Sequence, residues 1–173
     1  MHEPEPFRVV EAPLPPGALL ARYEGGGGYT DAFVVTIPGR VTQAAFVAAF
    51  YTTALFKLER LVLAVLVSRP STDDEARRLA NGESERFAAW TVEAREPGQI
   101  LLCDFMGSTR SWLMSVEGAA NAPGAKTRLW FGTALVPRKG AAGPGAGFRA
   151  MVPFHRLYAR ALLKAAARRL IST

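Results

Sequence analysis

FRAMVPFHRLYARALLKAAARRLI, Phe148 to Ile171, is the stretch from which the fold is read. It is a long helical pattern that neither a glycine nor a β-branched patch interrupts, and it follows a middle section that reads as consecutive strands. Pro153 suits a first helical turn, where a missing N–H costs nothing. Phe154, Leu157, Tyr158, Ala161, Leu162 and Ala165 recur at three- and four-residue steps and form an apolar stripe. Arg156, Arg160, Lys164 and Arg168 stand four apart on another side, where cations toward the C-terminus complement the helix dipole. One face is expected to pack and the other to stay wet. A basic amphipathic helix can also lie on an anionic membrane, but this one has an alanine-rich apolar face with no large residues near its end.

Upstream of the helix the period changes. Arg86 to Arg95, Gln99 to Met106, Arg110 to Glu117 and Thr127 to Val136 read as four strands. Glu96-Pro97-Gly98 and Gly107-Ser108-Thr109 are turns, and Gly118 to Ala125 is a longer one. Short turns make such neighbours antiparallel. Pro137 to Gly147 is a glycine- and proline-rich loop expected to be mobile. The order predicts one α+β domain, a curved antiparallel sheet wrapped around the long C-terminal helix.

Further upstream, Val41 to Val67 reads as helical, with Thr42 as N-cap and a bend or break at Tyr51-Thr52-Thr53. It is the one segment that resembles a membrane span. Lys57, Glu59 and Arg60 interrupt it, and each would cost about 2.5–3.5 kcal/mol near a bilayer centre. A buried soluble helix is the better reading. Ser71 or Thr72 can cap a second helix, Asp73 to Ala80, stopped by Asn81 and Gly82.

Phe7 to Glu24 gives an edge strand or extended arm, then a second extended piece, Ala18 to Glu24. Gly25 to Gly28 is a run of four glycines, expected to be a mobile turn. A phosphate-binding loop would have to open a helix, whereas Tyr29 to Ile37 follows and is a strand by composition. Residues 1–28 are thus an N-terminal arm and glycine-rich turn, and 29–173 a single domain.

The totals exclude some functions. The 173 residues suffice for one domain with a substantial core. Hydrophobic residues at 49% and charged residues at 21% are globular values. The net charge of +6 is dispersed, with no focused patch for nucleic acid. Cys103 is the single cysteine, which rules out an internal disulfide and fits a reducing cytoplasm. One cysteine and two histidines supply a metal site poorly, and no cofactor is expected. MHEPEPFRVV lacks a basic region before an apolar run, so no secretory signal is expected.

Three-residue loops at both short turns would place Arg95 opposite Gln99 and Met106 opposite Arg110. Trp90 then faces Asp104, and Asp104 faces Trp112. Ala88, Val92, Leu102, Met106, Met114 and Val116 share that face, which is the more apolar one and is set against the helix. Thr91, Glu93, Cys103, Ser111, Leu113 and Ser115 fall on the other. A one-residue slip would reverse the assignment. An Asp between two tryptophans on an apolar face needs a partner or a raised pKa. Arg110 and His155 are the partners within reach, although a turn-edge Asp104 making only structural hydrogen bonds, and a packed or surface His155, are the plainer readings.

Three segments carry a resemblance: YTDAF at Tyr29 to Phe33, LLCDFMGSTRSWLMS at Leu101 to Ser115, and VPFHRLYARALL at Val152 to Leu163. With the order of elements, they resemble the helix-grip fold of the START-like, or SRPBCC, superfamily, and within it a bacterial family of unassigned role. The superfamily includes polyketide cyclases, plant allergen-type carriers and lipid-transfer domains. The resemblance implies an apolar cavity between sheet and C-terminal helix, lined by the helix face bearing His155 and Tyr158. It carries over no catalytic residue, and a fold does not fix a function.

Three functions compete. A binding module would hold a small apolar or amphipathic molecule, with Trp90, Trp112 and Met114 as walls and Asp104 or Arg110 as polar handle. A cyclase, dehydratase or isomerase would use Asp104 or His155 as general base. An interaction or membrane-surface protein would use the basic helix face. The partners expected are that small molecule, no nucleic acid and no integral membrane segment; a homodimer is compatible with the sequence.

Overall fold

A computed structural model describes residues 8–57, 71–118, 124–137 and 146–172. Seven antiparallel strands form one open, curved sheet: β1 (Val10–Glu11), β2 (Tyr29–Pro38), β3 (Arg86–Phe87), β4 (Trp90–Glu96), β5 (Gln99–Asp104), β6 (Thr109–Glu117) and β7 (Lys126–Leu135). Their spatial order is β1-β2-β7-β6-β5-β4-β3. Helix α1 is Gln43–Tyr51, α2 is Asp73–Ala80 and α3 is Ala146–Ile171. The chain is α+β, and the sheet grips the C-terminal helix as the sequence predicts: α3 lies over β2 and β7 and against α1.

Local chemistry sets the helix starts. The Thr42 side chain accepts from Ala45 N at 3.2 Å, capping α1. Thr72 and Glu75 form a reciprocal capping box at α2. After α1 the expected break occurs, where Thr52 and Thr53 turn their hydroxyls onto the carbonyls of Ala48 and Phe50. The rest of the expected Val41–Val67 helix beyond residue 57, and most of the Pro137–Gly147 loop, lie outside the described residues. No described helix is long and apolar enough to cross a membrane.

Helix α3 begins earlier than expected, so Pro153 sits inside it and not in its first turn. The ring is on the solvent side. The packed stripe is also rotated. Ala159, Leu162, Leu163, Ala166 and Ala167 are buried, whereas Phe154 and Leu157 are 62% and 67% exposed. Residues four apart stay on one face whichever face is chosen; contact with both the sheet and α1 selects the small-residue side. The arm differs too. Leu19–Tyr23 is a 3-10 helix, not an extended piece. It buries Leu19 and Leu20 on the sheet face opposite α3.

The strand registers decide what meets what. Trp90 pairs with Asp104 as expected. A bulge at Glu93 then shifts the β4–β5 pairing, so Glu96, not Arg95, faces Gln99. The β3–β4 hairpin turns through Ala88 at φ 52°, which removes Ala88 from the expected row and separates two short strands. Between β5 and β6 the loop is four residues, 105–108. Cys103 therefore faces Arg110, and Leu101 faces Trp112. The expected pairs had placed Asp104 opposite Trp112. An odd shift turns every β6 side chain over. Leu113 joins the core beneath the helices, while Trp112, Met114 and Val116 go to the opposite face.

That opposite face is sealed by the arm. Gln99 Oε1 accepts from Leu19 N and from Trp112 Nε1, each at 2.9 Å. Gly132, on β7, lies where a Cβ would meet Leu20 Cδ2 at 2.6 Å, Asp31 O at 2.9 Å and Trp112 Cε3 at 3.0 Å. Gly132→Ala is therefore expected to lower stability by about 1–3 kcal/mol through overpacking. Urea denaturation checks this; an unchanged midpoint would show that the arm yields freely.

Candidate functional site

Alternation along β2 puts Tyr29, Asp31, Phe33, Val35 and Ile37 on one face, and the last three belong to the core under the helices. Asp31 is thus carried inward by the same period that buries its neighbours. Asp31 pairs with Thr133 on β7, and Thr133 pairs with Ser111 on β6. Three polar side chains hence lie side by side across the floor of an otherwise apolar layer. Directly opposed residues bring their Cβ atoms to about 4.5–5.5 Å.

Above this row is a partly open cavity of about 160 Å³ between sheet and α3. Phe50, Phe56, Trp90, Phe131 and Tyr158 wall it, and Ser111, Thr133 and His155 supply polar groups. Gln43 locks α1 over this region, donating to Leu113 O at 3.0 Å and accepting from Ser115 N at 2.8 Å. The Phe50 and Phe131 rings pack at 4.7 Å. Arg169 donates to Thr52 O at 3.0 Å and ties α3 to the end of α1.

The polar end has an uneven balance of hydrogen bonds. Asp31 has a side chain only 2% exposed, and its Oδ2 lies 3.4 Å from His155 Nε2. The Tyr29 hydroxyl donates to that oxygen at 2.7 Å. The Tyr29 ring meets the imidazole edge-to-face at 6.2 Å. Asp31 Oδ1 is buried with no hydrogen-bond partner among the described residues, as are Thr133 Oγ1, Trp90 Nε1 and His155 Nε2, the last within ion-pair range of Asp31 but unaligned for a hydrogen bond. Buried polar groups are ordinarily satisfied, and each exception calls for a reason. Ser111 is better served, with its Oγ 3.3 Å from Tyr51 Oη. Burial first, then donation to Asp31 and the charge of Asp31, push the Tyr29 phenol well up. The neutral Tyr29 is thus a lasting donor.

Four of the expected site residues, Trp90, Arg110, His155 and Tyr158, line this cavity. The Arg110 guanidinium is already engaged: Nε reaches Glu93 at 2.6 Å and Tyr23 Oη at 3.0 Å, and the group lies over the Tyr23 ring at 4.9 Å. It is no handle for a ligand. Asp104 is a turn residue, with Oδ1 accepting from Ser108 N at 2.7 Å and Thr109 N at 3.0 Å, and Oδ2 accepting from Ser108 Oγ at 3.0 Å. Trp112 and Met114 belong to the face beneath the arm, away from the cavity. The expected row of two tryptophans around Asp104 does not form, because the four-residue loop turns β6 over.

Asp31, Thr133 and Ser111 were missed in the sequence. A signal for Asp31 was present, since a lone carboxylate sits in phase with Phe33, Val35 and Ile37. Thr133 and Ser111 gave none, because their faces depend on register. A wider, open groove of about 390 Å³ runs along the arm past Glu11 and Glu24. Glu11 is paired there with Arg156 and Arg160, so the deeper cavity under α3 is the better-formed site. Among the described residues no group of three His, Cys, Asp or Glu side chains is placed to hold a metal ion. No family model, curated protein or solved structure matches this chain.

Two outcomes follow. Asp104→Ala is expected to cost about 1–3 kcal/mol by orphaning the two turn amides, with binding in the cavity unchanged. Denaturation and ligand titration separate the two effects; lost binding at full stability would return Asp104 to the site. Tyr29 has its folded pKa raised, so the stability it gives is complete below its unfolded pKa of about 10 and falls as pH rises beyond it. Tyr29→Phe should show a flatter alkaline limb in melting temperature against pH than wild type; parallel limbs would mean the phenol is not coupled to folding.

Proposed function

We propose that the protein binds a compact apolar or amphipathic molecule in the cavity between the sheet and α3. One observation carries the reading: five aromatic side chains wall a partly enclosed space in which the buried polar atoms Trp90 Nε1 and Thr133 Oγ1 have no hydrogen-bond partner among the described residues. Ligand sites are mostly apolar with a few placed polar groups. The volume limits the guest. An apolar cavity of about 150 Å³ accommodates benzene, so a single-ring molecule is the appropriate scale. The resemblance of YTDAF and VPFHRLYARALL to the START-like superfamily points the same way.

A second reading, an enzyme acting on such a molecule, is favoured by the Asp31–His155 pair. A carboxylate behind a cavity-lining histidine is an acid–base arrangement.

Titration with benzene and with phenol tests the first reading. Saturable shifts of the Trp90 indole N–H resonance are expected, with a rise in melting temperature. Leu162→Phe, which pushes a ring into the space, should abolish both while keeping the circular dichroism spectrum. Absence of any shift at saturating probe, or binding unaffected by Leu162→Phe, would place the site elsewhere.

A further inference from the structure

The cavity has one chemically distinct end. His155 lines it, and directly behind His155 is Asp31, whose carboxylate is withdrawn from solvent. Tyr29 holds the same carboxylate oxygen from the other side at 2.7 Å. Thr133, next to Asp31 across the strand pair, offers a hydroxyl on the cavity floor that has no partner among the described residues. Arg110 also borders the cavity, but its guanidinium is held by Glu93 and Tyr23 on the arm side. Tyr158, one turn along α3, is a further titratable group of the lining.

We infer that His155 is a proton-transfer group for a compact, uncharged carbon acid held in this cavity, and that Asp31 is the residue that positions it. The inference rests on the cavity being a binding site. Asp31 Oδ2 lies 3.4 Å from Nε2, within ion-pair range but unaligned for a hydrogen bond; a small rotation that closes this contact would hold a proton on Nε2 and leave the Nδ1 lone pair as the base. The step balances without a co-reactant. A C–H bond next to a carbonyl breaks, its proton passes to His155, and its electron pair is delocalised onto the carbonyl oxygen as an enolate. Thr133, whose hydroxyl is uncommitted among the described residues, is a protein donor on the floor for that oxygen. Return of the proton at another carbon gives an isomer and restores His155. A charged substrate is disfavoured, because aromatic walls cannot replace its hydration.

The test uses 5-nitrobenzisoxazole, a small neutral carbon acid. Removal of its ring C–H proton forms the nitrile, breaks the N–O bond and releases a coloured phenolate. Binding is read first, through the Trp90 indole resonance and competition by benzene. Turnover is then compared with the same concentration of free imidazole. Expected are saturable turnover by wild type, a loss of about 10²-fold or more in His155→Gln, and in Asp31→Asn a fall in kcat with little change in KM and a displaced pH midpoint. Nitrogen-detected NMR of wild type should show the His155 proton on Nε2, a readout independent of any variant's folding. Probe bound but turned over no faster than by imidazole, or equally fast by His155→Gln, overturns the inference while leaving the binding site standing. So does a proton resident on Nδ1, or an unaltered pH profile in Asp31→Asn. Binding of neither benzene nor the benzisoxazole overturns both readings together.

Discussion

The carboxylate of Asp104 governs more of this molecule than its size suggests. By accepting the amides of Ser108 and Thr109 it holds the β5–β6 connection at four residues. Loop length sets register, and register sets which side of β6 looks toward the helices. With this loop, Ser111 and Leu113 face α1 and α3, and Trp112 faces the arm. A loop shorter by one residue would turn Ser111 and Leu113 toward the arm and Trp112 under the helices. The polar row beneath the cavity therefore goes with the four-residue loop, whose amides Asp104 satisfies. Asp104 stabilises that turn without touching the site, and the register is shared with the whole length of the β5–β6 and β6–β7 pairings.

The second face of the sheet is not left to water. Gln99 is 5% exposed, and its amide group is spent on closing the arm over Trp112: Oε1 serves Leu19 N and the indole, and Nε2 donates to Gly17 O at 3.0 Å. A buried amide with these partners meets the cost of its own desolvation. The bulge at Glu93 contributes on the same side, aiming that carboxylate at Arg110 and Tyr23. The sheet thus has one face closed by the arm, where among the described residues Trp130 Nε1 alone is buried without a hydrogen-bond partner, and one face under α3 with several such atoms.

Most of the architecture was legible in the sequence, because it rests on period. Tyr29 to Ile37, Gln99 onward and the Thr72-capped helix are all set by local alternation or capping. His155 and Tyr158 were expected at the cavity from the resemblance, and Trp90 from its pairing with Asp104; all three line it. What was not legible depends on counts that differ by one. The loop after Asp104, the bulge at Glu93 and the turn at Ala88 each insert or remove a residue from a pairing. No composition rule fixes them. The rotation of α3 was hidden for a related reason: Phe154 and Leu157 looked like core by hydrophobicity, yet close approach of the helix to β2 selects Ala159, Ala166 and Ala167.

Asp31 is where the local rules and the fold disagree. A carboxylate in phase with a buried strand face is costly, since even after relaxation a buried ion loses several kcal/mol of hydration. Tyr29 and His155 offset part of that loss, but both meet the same oxygen, and the other remains without a partner among the described residues. An apolar residue at this position would pack against Phe33 and Thr133 without that cost. A purely structural role would have placed donors on both oxygens, as the turn does for Asp104. The asymmetry sets the two aspartates apart: one is saturated and fixes a loop, and the other is held on one side only, behind a histidine that lines the cavity. Departures of this kind from local consistency concentrate at functional sites, and four of the five among the described residues, at Asp31, Thr133, Trp90 and His155 but not Trp130, fall in or immediately behind one aromatic cavity.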